Sequence, residues 1–216
     1  MARGRVEKRG SKKRKVKPVI LIVTEGSKTE PGYFNHFRTR QKNIDVRVVG
    51  SRTSAGETDY NSLIRKAKEY QDKNDLSSVN GDTVWIVADG DVNYTNPNPI
   101  EKKDTALSHA RKLANQKGME MIISNPCFEL WYLLHFRYTT GFLKDYEAVK
   151  KLLKEHIPDY EKANDVFPML EGHLDKATKR ARQLEEYHLK NGNAVPYGIA
   201  VNPFTEVYRL IEAIIS

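Results

Sequence analysis

The chain has 216 residues, of which 39% are apolar and 30% are charged, so it can build a packed core and is not expected to be disordered throughout. Its single cysteine, Cys127, excludes an internal disulfide framework and a cysteine-built zinc site, and it fits a reducing compartment. No apolar run approaches the roughly 20 residues that a membrane helix needs, and no segment of signal-peptide length follows the basic N-terminus, so the sequence predicts a soluble cytoplasmic protein.

The net charge of +8 is concentrated in the first 17 residues. They contain nine basic side chains and one acidic one, whereas the other 27 basic and 27 acidic groups cancel. Such a run repels itself and has little apolar surface to bury, so residues 1–17 are predicted to be a disordered basic tail. Lys12, Lys13 and Arg14 are candidates for binding nucleic-acid phosphates without sequence preference. A solvated tail, or a nuclear-import signal in a eukaryotic protein, would have the same composition.

From residue 18 to residue 136, apolar runs alternate with segments of helical period. The continuous β-branched runs are typical of strands that are buried on both faces. Strands are predicted over 18–23, 44–49, 83–88 and 119–123, and helices from near Thr29 and over 58–70, 100–116 and 126–136. We expect Asn125 to cap the last of these helices, with Pro126 at its first position.

This order predicts an α/β domain over residues 18–140, with a parallel four-stranded sheet flanked by helices. Parallel neighbours need crossover connections, which the helices supply. In the common strand order 2-1-3-4, strands one and three are neighbours, and ligands bind beyond their carboxyl ends, where the chain reverses direction. Residues 141–216 are predicted to form a helical extension packed on this domain.

Acidic residues stand at the two strand ends that this topology brings together. Strand one ends at Glu25-Gly26, and strand three is followed by Asp89-Gly90-Asp91. Side chains two apart on an extended segment point the same way, so Asp89 and Asp91 can share one face, with Glu25 across the crevice. Either turn alone is more often an ordinary loop, but three converging carboxylates repel unless a cation joins them. Because hard divalent ions prefer oxygen ligands, these three residues are predicted to hold Mg²⁺ or Mn²⁺.

Four neighbouring residues are further candidates. Glu30, at the start of the first helix, is a possible fourth ligand or water-orienting base, and Lys28 adds a cation where helix amides favour phosphate. Asn125 and Glu129 would contact substrate if their helix faces the crevice. The alternative for Glu129 is a hydrogen bond in the core, which is also what we expect for His135.

Three stretches of the sequence are distinctive: residues 20–34, with Glu25-Gly26; residues 124–136, with Asn-Pro-Cys-Phe-Glu-Leu-Trp; and residues 202–207. With the basic leader, they resemble the RloB family of prokaryotic Toprim-like proteins over nearly the whole chain. The Glu-Gly and Asp-Gly-Asp elements are also similar to the Toprim pattern of topoisomerases, primases and OLD-type nucleases. The resemblance implies a Toprim-like fold, a divalent metal, and an abortive-infection or restriction-linked role beside an AAA- or ABC-type ATPase. Toprim patterns often carry another acid where this chain has Asn93, which leaves the number of metal ions open.

Together these features predict a divalent-metal-dependent nuclease that hydrolyses RNA or DNA, and the resemblance implies that it is the effector of a prokaryotic anti-phage system. Its catalytic set would be Glu25, Asp89, Asp91 and Glu30. The alternative is a non-catalytic module that binds nucleic acid or a phosphate ligand in the same pocket and signals to the ATPase. A primase-like nucleotidyl transferase is less favoured, since no separate nucleotide-binding domain is evident. The chain is also a candidate for homo-oligomer formation.

Overall fold

The computed structural model describes residues 17–41, 43–50 and 59–216. Helices and strands alternate through the first two thirds of this part, as the sequence predicts. In chain order the elements are β1 (Val19–Thr24), α1 (Thr29–Asn35), β2 (Asp45–Gly50), α2 (Tyr60–Lys73), β3 (Thr83–Asp89), α3 (Pro99–Gln116), β4 (Glu120–Asn125), α4 (Glu129–Phe136), α5 (Tyr146–Leu153), α6 (Phe167–Leu170), α7 (Leu174–Lys190), β5 (Phe204–Thr205) and α8 (Val207–Ile215). Residues 1–16 of the predicted basic tail, with Lys12, Lys13 and Arg14, lie outside the described residues.

The strands form one sheet in the order β2-β1-β3-β4-β5. The first four are parallel, and β1 lies between β2 and β3, which confirms the predicted order. The sheet has five strands rather than the predicted four, because β5 adds to β4 in antiparallel orientation. A two-residue strand carries no periodicity, so the sequence pattern could not indicate it.

The residues that follow β5 fasten the C-terminal part of the chain to the sheet. The backbone N–H of Glu206 donates to the carbonyl of Ile123 in β4 (3.0 Å), and the Glu206 carboxylate accepts from the Ile123 N–H (2.9 Å). That buried carboxylate also pairs with Arg111 of α3 at 2.8 Å. The region predicted to be wholly helical therefore supplies part of the sheet.

Alternate residues of β1 pack into two separate apolar layers. Ile20 and Ile22 face the layer formed with α1, α4, α7 and α8. Leu21 and Val23 face the layer formed with α2 and α3. Because β1 is buried on both faces, each of these side chains contributes on the order of 1.5–3 kcal/mol, and the strand end is held rigidly.

Helix α4 begins at Glu129, three residues later than predicted, and Asn125 does not cap it. Asn125 is instead the last residue of β4, and its amide donates to the carbonyls of Ile199 (2.9 Å) and Val201 (2.6 Å). These carbonyls come from a distant part of the chain, so a local capping rule could not anticipate the contact. In the part of the chain described, no helix is both long enough and apolar enough to cross a membrane.

Candidate functional site

A cavity of about 520 Å³ opens at the carboxyl ends of β1 and β3, where the sequence predicts a ligand site. It is lined by Glu25, Gly26, Ser27, Lys28, Thr29, Glu30, Asp89, Asp91, Phe128, Glu129 and Lys162. Six predicted site residues meet here: Glu25, Lys28, Glu30, Asp89, Asp91 and Glu129. Asn125 does not line the cavity, since its side chain is turned towards residues 199–201.

Glu25 bridges the ends of the two central strands. Its backbone N–H donates to the carbonyl of Val87 (3.1 Å), which extends the β1–β3 ladder by one bond. Its carboxylate Oε2 accepts from the backbone N–H of Asp89 at 3.0 Å. Residues 64 positions apart are thus in direct contact, as the topology requires of a shared site.

Asp89 provides the least satisfied polar atom of the cavity. Its Oδ1 is buried and has no hydrogen-bond partner among the described residues. Burial raises the pKa of Asp89, and the nearby charges of Glu30 and Glu25 raise it further. A buried acceptor without a donor costs about 1–3 kcal/mol, and more when charged, so this carboxylate needs a proton or a cation.

Asp91 lies at the outer edge of the cavity and is about half exposed. Its Oδ1 pairs with the ammonium of Lys103 at 3.2 Å, and this ammonium also lies 4.9 Å from the ring centroid of Tyr60. Asn93, two residues further on, does not line the cavity. Its side-chain oxygen accepts from the backbone and the hydroxyl of Thr95.

Glu30 is folded back against the turn that leaves β1. Its Oε1 accepts from the backbone N–H of Gly26 at 3.1 Å. A Cβ at position 26 would collide with the Glu30 carboxylate, so this close approach requires glycine. Burial, with the charge of Glu129 as a smaller cause, raises the pKa of Glu30 from 4.5 to about 7.

The inner wall of the cavity contains an acid and a cation from different parts of the chain. Glu129, at the start of α4, is only 1% exposed. Its Oε1 accepts from the hydroxyl of Tyr160 (3.2 Å) and lies 4.0 Å from the ammonium of Lys162. Burial lowers the pKa of Lys162, but the charges of Glu129 and Asp89 outweigh it and the net change is upwards. The sequence analysis missed Tyr160 and Lys162, since nothing in the loop after α5 marks it as part of the site.

Tyr60, the first residue of α2, is a further neighbour of these acids. Its hydroxyl donates to the backbone carbonyl of Asp89 at 2.9 Å. Burial raises the pKa of Tyr60, and the charges of Glu25 and Asp91 raise it further. The hydroxyl therefore stays protonated and supports the end of β3.

The oxygen donors of the cavity suit a hard divalent cation. The buried Oδ1 of Asp89, which has no partner among the described residues, could supply one ligand atom, and the carboxylates of Glu25 and Asp91 line the same cavity. Within residues 17–41, 43–50 and 59–216, no group of three or more acidic, histidine or cysteine side chains is arranged so that it could hold a metal ion. Mg²⁺ often takes only one or two carboxylates and keeps several waters, so Asp89 with one neighbouring carboxylate could hold it. Asp91 pairs with Lys103 through Oδ1, which leaves its Oδ2 outside that ion pair.

His135 lies outside the cavity, in the core. Its Nδ1 donates to the carbonyl of Trp131 at 2.9 Å, the kind of core hydrogen bond expected for it. Its Nε2 is buried and finds no partner in the described part of the chain. Burial lowers the pKa of His135 to about 4, so the ring is neutral at physiological pH.

Comparison with known proteins gives one match. The family model described as RloB-like protein matches residues 20–214, which include every cavity residue named above. Neither the curated proteins nor the solved structures contain a match to this sequence. Since the family match covers nearly the whole chain, this protein belongs to the RloB-like family.

Proposed function

We propose that this protein is a metal-dependent phosphodiesterase that hydrolyses RNA or DNA at the cavity formed by Glu25, Asp89 and Asp91, on a Toprim-like sheet. One observation carries the proposal. Glu25 reaches across from β1 to the Asp89 amide, beside a buried Asp89 oxygen that has no partner among the described residues. Converging carboxylates with an unmet need for positive charge are typical of sites that bind Mg²⁺ or Mn²⁺ together with phosphates.

Bound Mg²⁺ or Mn²⁺ would lower the pKa of a water molecule and neutralise charge on the scissile phosphate. Asp89 would hold the ion together with Glu25 or Asp91. Glu30, which is buried and accepts from the Gly26 N–H through Oε1, would orient the attacking water through its other carboxylate oxygen. Lys28, exposed at the rim, would contact a phosphate of the substrate.

The environment of Tyr60 favours water, and not a tyrosine of the protein, as the nucleophile of the proposed reaction. It is the tyrosine whose pKa responds to Glu25, Asp91 and Asp89 together, and both burial and these charges disfavour its phenolate form. Its hydroxyl is also held by the Asp89 carbonyl. A strand-transfer reaction would need a free tyrosinate at this position, so hydrolysis is the better match to the cavity.

The test is Mn²⁺- or Mg²⁺-dependent cleavage of mixed RNA and DNA by the purified chain. Glu25→Gln and Asp89→Asn should each abolish cleavage while the protein stays folded. Asp72→Asn, which changes an exposed acid paired with Lys68 on α2, is the matched control and should cleave as the wild type does. Cleavage that survives in both cavity variants would refute the proposal.

A second candidate is a non-catalytic module that binds a phosphate ligand or nucleic acid in the same cavity. It is favoured by the Asp91–Lys103 pair, which leaves the outer carboxylate neutralised. Metal-dependent binding of an oligonucleotide without cleavage, both alone and with a partner ATPase, would support this module over the nuclease.

The biological setting that we propose rests on the sequence resemblance. In it, the protein is the effector of a prokaryotic anti-phage system, acts on nucleic acid, and works beside an AAA- or ABC-type ATPase. Plating efficiency of phage on cells that express the wild type or Asp89→Asn, each with the ATPase, tests this setting. Equal plating on both would contradict it.

A further inference from the structure

The inner end of the cavity already contains a cation from the chain itself. The Lys162 ammonium lies 4.0 Å from Oε1 of Glu129, whose side chain is 2% exposed. That same oxygen accepts the hydroxyl of Tyr160. The deepest acid of the cavity therefore has both a hydrogen-bond donor and a positive charge beside it.

Several contacts hold Lys162 in this position. Its backbone carbonyl accepts from the hydroxyl of Thr29, at the start of α1, at 3.0 Å. Its ammonium lies 4.1 Å from the ring centroid of Tyr146 in α5, a favourable cation–π distance. The loop after α5 is thus tied to the cavity rim, and the lysine is directed towards Glu129.

The two ends of the cavity differ in their electrostatic balance. At the Glu129 end, charge and hydrogen bonding are met by Lys162 and Tyr160. At the Asp89 end, Oδ1 is buried without a partner in the described part of the chain. If the carboxylates at both ends lacked a positive charge nearby, two divalent ions would be needed to neutralise them. Because Lys162 already neutralises Glu129, one ion at the Asp89 end is enough.

We propose that Lys162 is the second cation of the site, so that the cavity binds a single divalent ion at the Asp89 end while the ammonium balances Glu129 in place of a second ion. This inference rests on the proposed function, because it concerns the metal stoichiometry of the same site. Lys162 is therefore a positioning residue: its ammonium neutralises Glu129 and does not contact the reacting atoms.

The experiment counts Mn²⁺ ions bound per folded chain, by calorimetric titration and by the loss of the free Mn²⁺ resonance signal. The wild type should bind one ion. Lys162→Met should bind two, because Glu129 loses its counter-ion, and Lys162→Met/Glu129→Gln should return to one. Lys154→Met, which removes an exposed lysine paired with Glu161 nearby, is the matched control and should bind one.

Two Mn²⁺ ions bound to the wild type, or one bound to Lys162→Met, would overturn this inference. Either result would leave the proposal of a metal-dependent phosphodiesterase standing. No bound ion in the wild type would overturn both proposals. Thermal unfolding monitors the fold of each variant. If Lys162→Met does not fold, Lys162→Gln, which also removes the charge, takes its place: two bound ions support the inference and one overturns it.

Discussion

Replacing Glu30 by glutamine should stabilise the protein in metal-free buffer. Burial and the charge of Glu129 raise the pKa of Glu30 from 4.5 to about 7, so ionising it in the folded state is unfavourable. One pKa unit corresponds to about 1.4 kcal/mol, so the ionised carboxylate costs on the order of 3 kcal/mol of folding free energy. Glutamine keeps an oxygen that can accept from the Gly26 N–H, and it carries no charge.

The sign of the pH dependence follows from the raised pKa. The folded state binds the Glu30 proton more tightly than the unfolded state, so the penalty is complete above pH 7 and disappears as the pH falls below 4.5. Urea unfolding of the wild type and Glu30→Gln in EDTA should therefore show a gain of about 3 kcal/mol at pH 8, which shrinks by about half at pH 5.5. Saturating Mn²⁺ should reduce the gain, since the cation offsets the repulsion.

Glu69→Gln is the matched control, because Glu69 is an exposed acid in the middle of α2. Its effect should stay within about 0.5 kcal/mol at either pH. A Glu30→Gln variant that is no more stable than the wild type at pH 8 would refute the reasoning. It would mean that the Glu30 carboxylate is a structural acceptor and is not under repulsion from its neighbours.

Three further substitutions or deletions test separate parts of the description. Gly26→Ala should lower stability by about 1–3 kcal/mol and remove cleavage, because a Cβ collides with the Glu30 carboxylate, whereas Gly172→Ala, where the new methyl meets open space, should leave cleavage unchanged. Asn125→Ala should cost about 2 kcal/mol in chemical unfolding, since it deprives two backbone carbonyls of their donor, yet leave the substrate affinity of the folded protein intact. A loss of affinity there would restore Asn125 as a substrate residue. Deleting residues 1–17 should weaken nucleic-acid binding and flatten its salt dependence, and an unaltered salt slope would contradict the role given to this basic tail.

The sequence predicts the parts of the fold that depend on periodicity. The first four strands and the order 2-1-3-4 follow from apolar runs, alternation and crossover rules, and they are confirmed, although β2 is mostly half-buried. The meeting of Glu25 with Asp89 and Asp91 could be anticipated for the same reason, since topology alone decides which strand ends are neighbours. Periodicity and crossover rules predict where a residue lies along a strand or helix and where that element lies in the sheet.

Contacts between distant loops are beyond those rules. Asn125 is a residue type that often caps helices, but its side chain does not cap α4. Tertiary packing places the carbonyls of Ile199 and Val201 within its reach, and it binds those instead. Lys162 lines the cavity, and Tyr160 reaches Glu129, from the loop after α5, which a hydrogen bond joins to Thr29. β5 is too short to show a pattern, and it exists because β4 offers it an open edge.

The short β5 strand makes the parallel sheet and the C-terminal part of the chain depend on each other. Without it, the outer side of β4 would present unsatisfied amide and carbonyl groups, a template on which a second molecule can add its own strand. Arg111 would also lose the buried Glu206 carboxylate that neutralises it. A recombinant fragment that stops at residue 140 would keep Glu25, Asp89 and Asp91 but would be prone to self-association, so a fragment made for study of the cavity should retain the chain through α8.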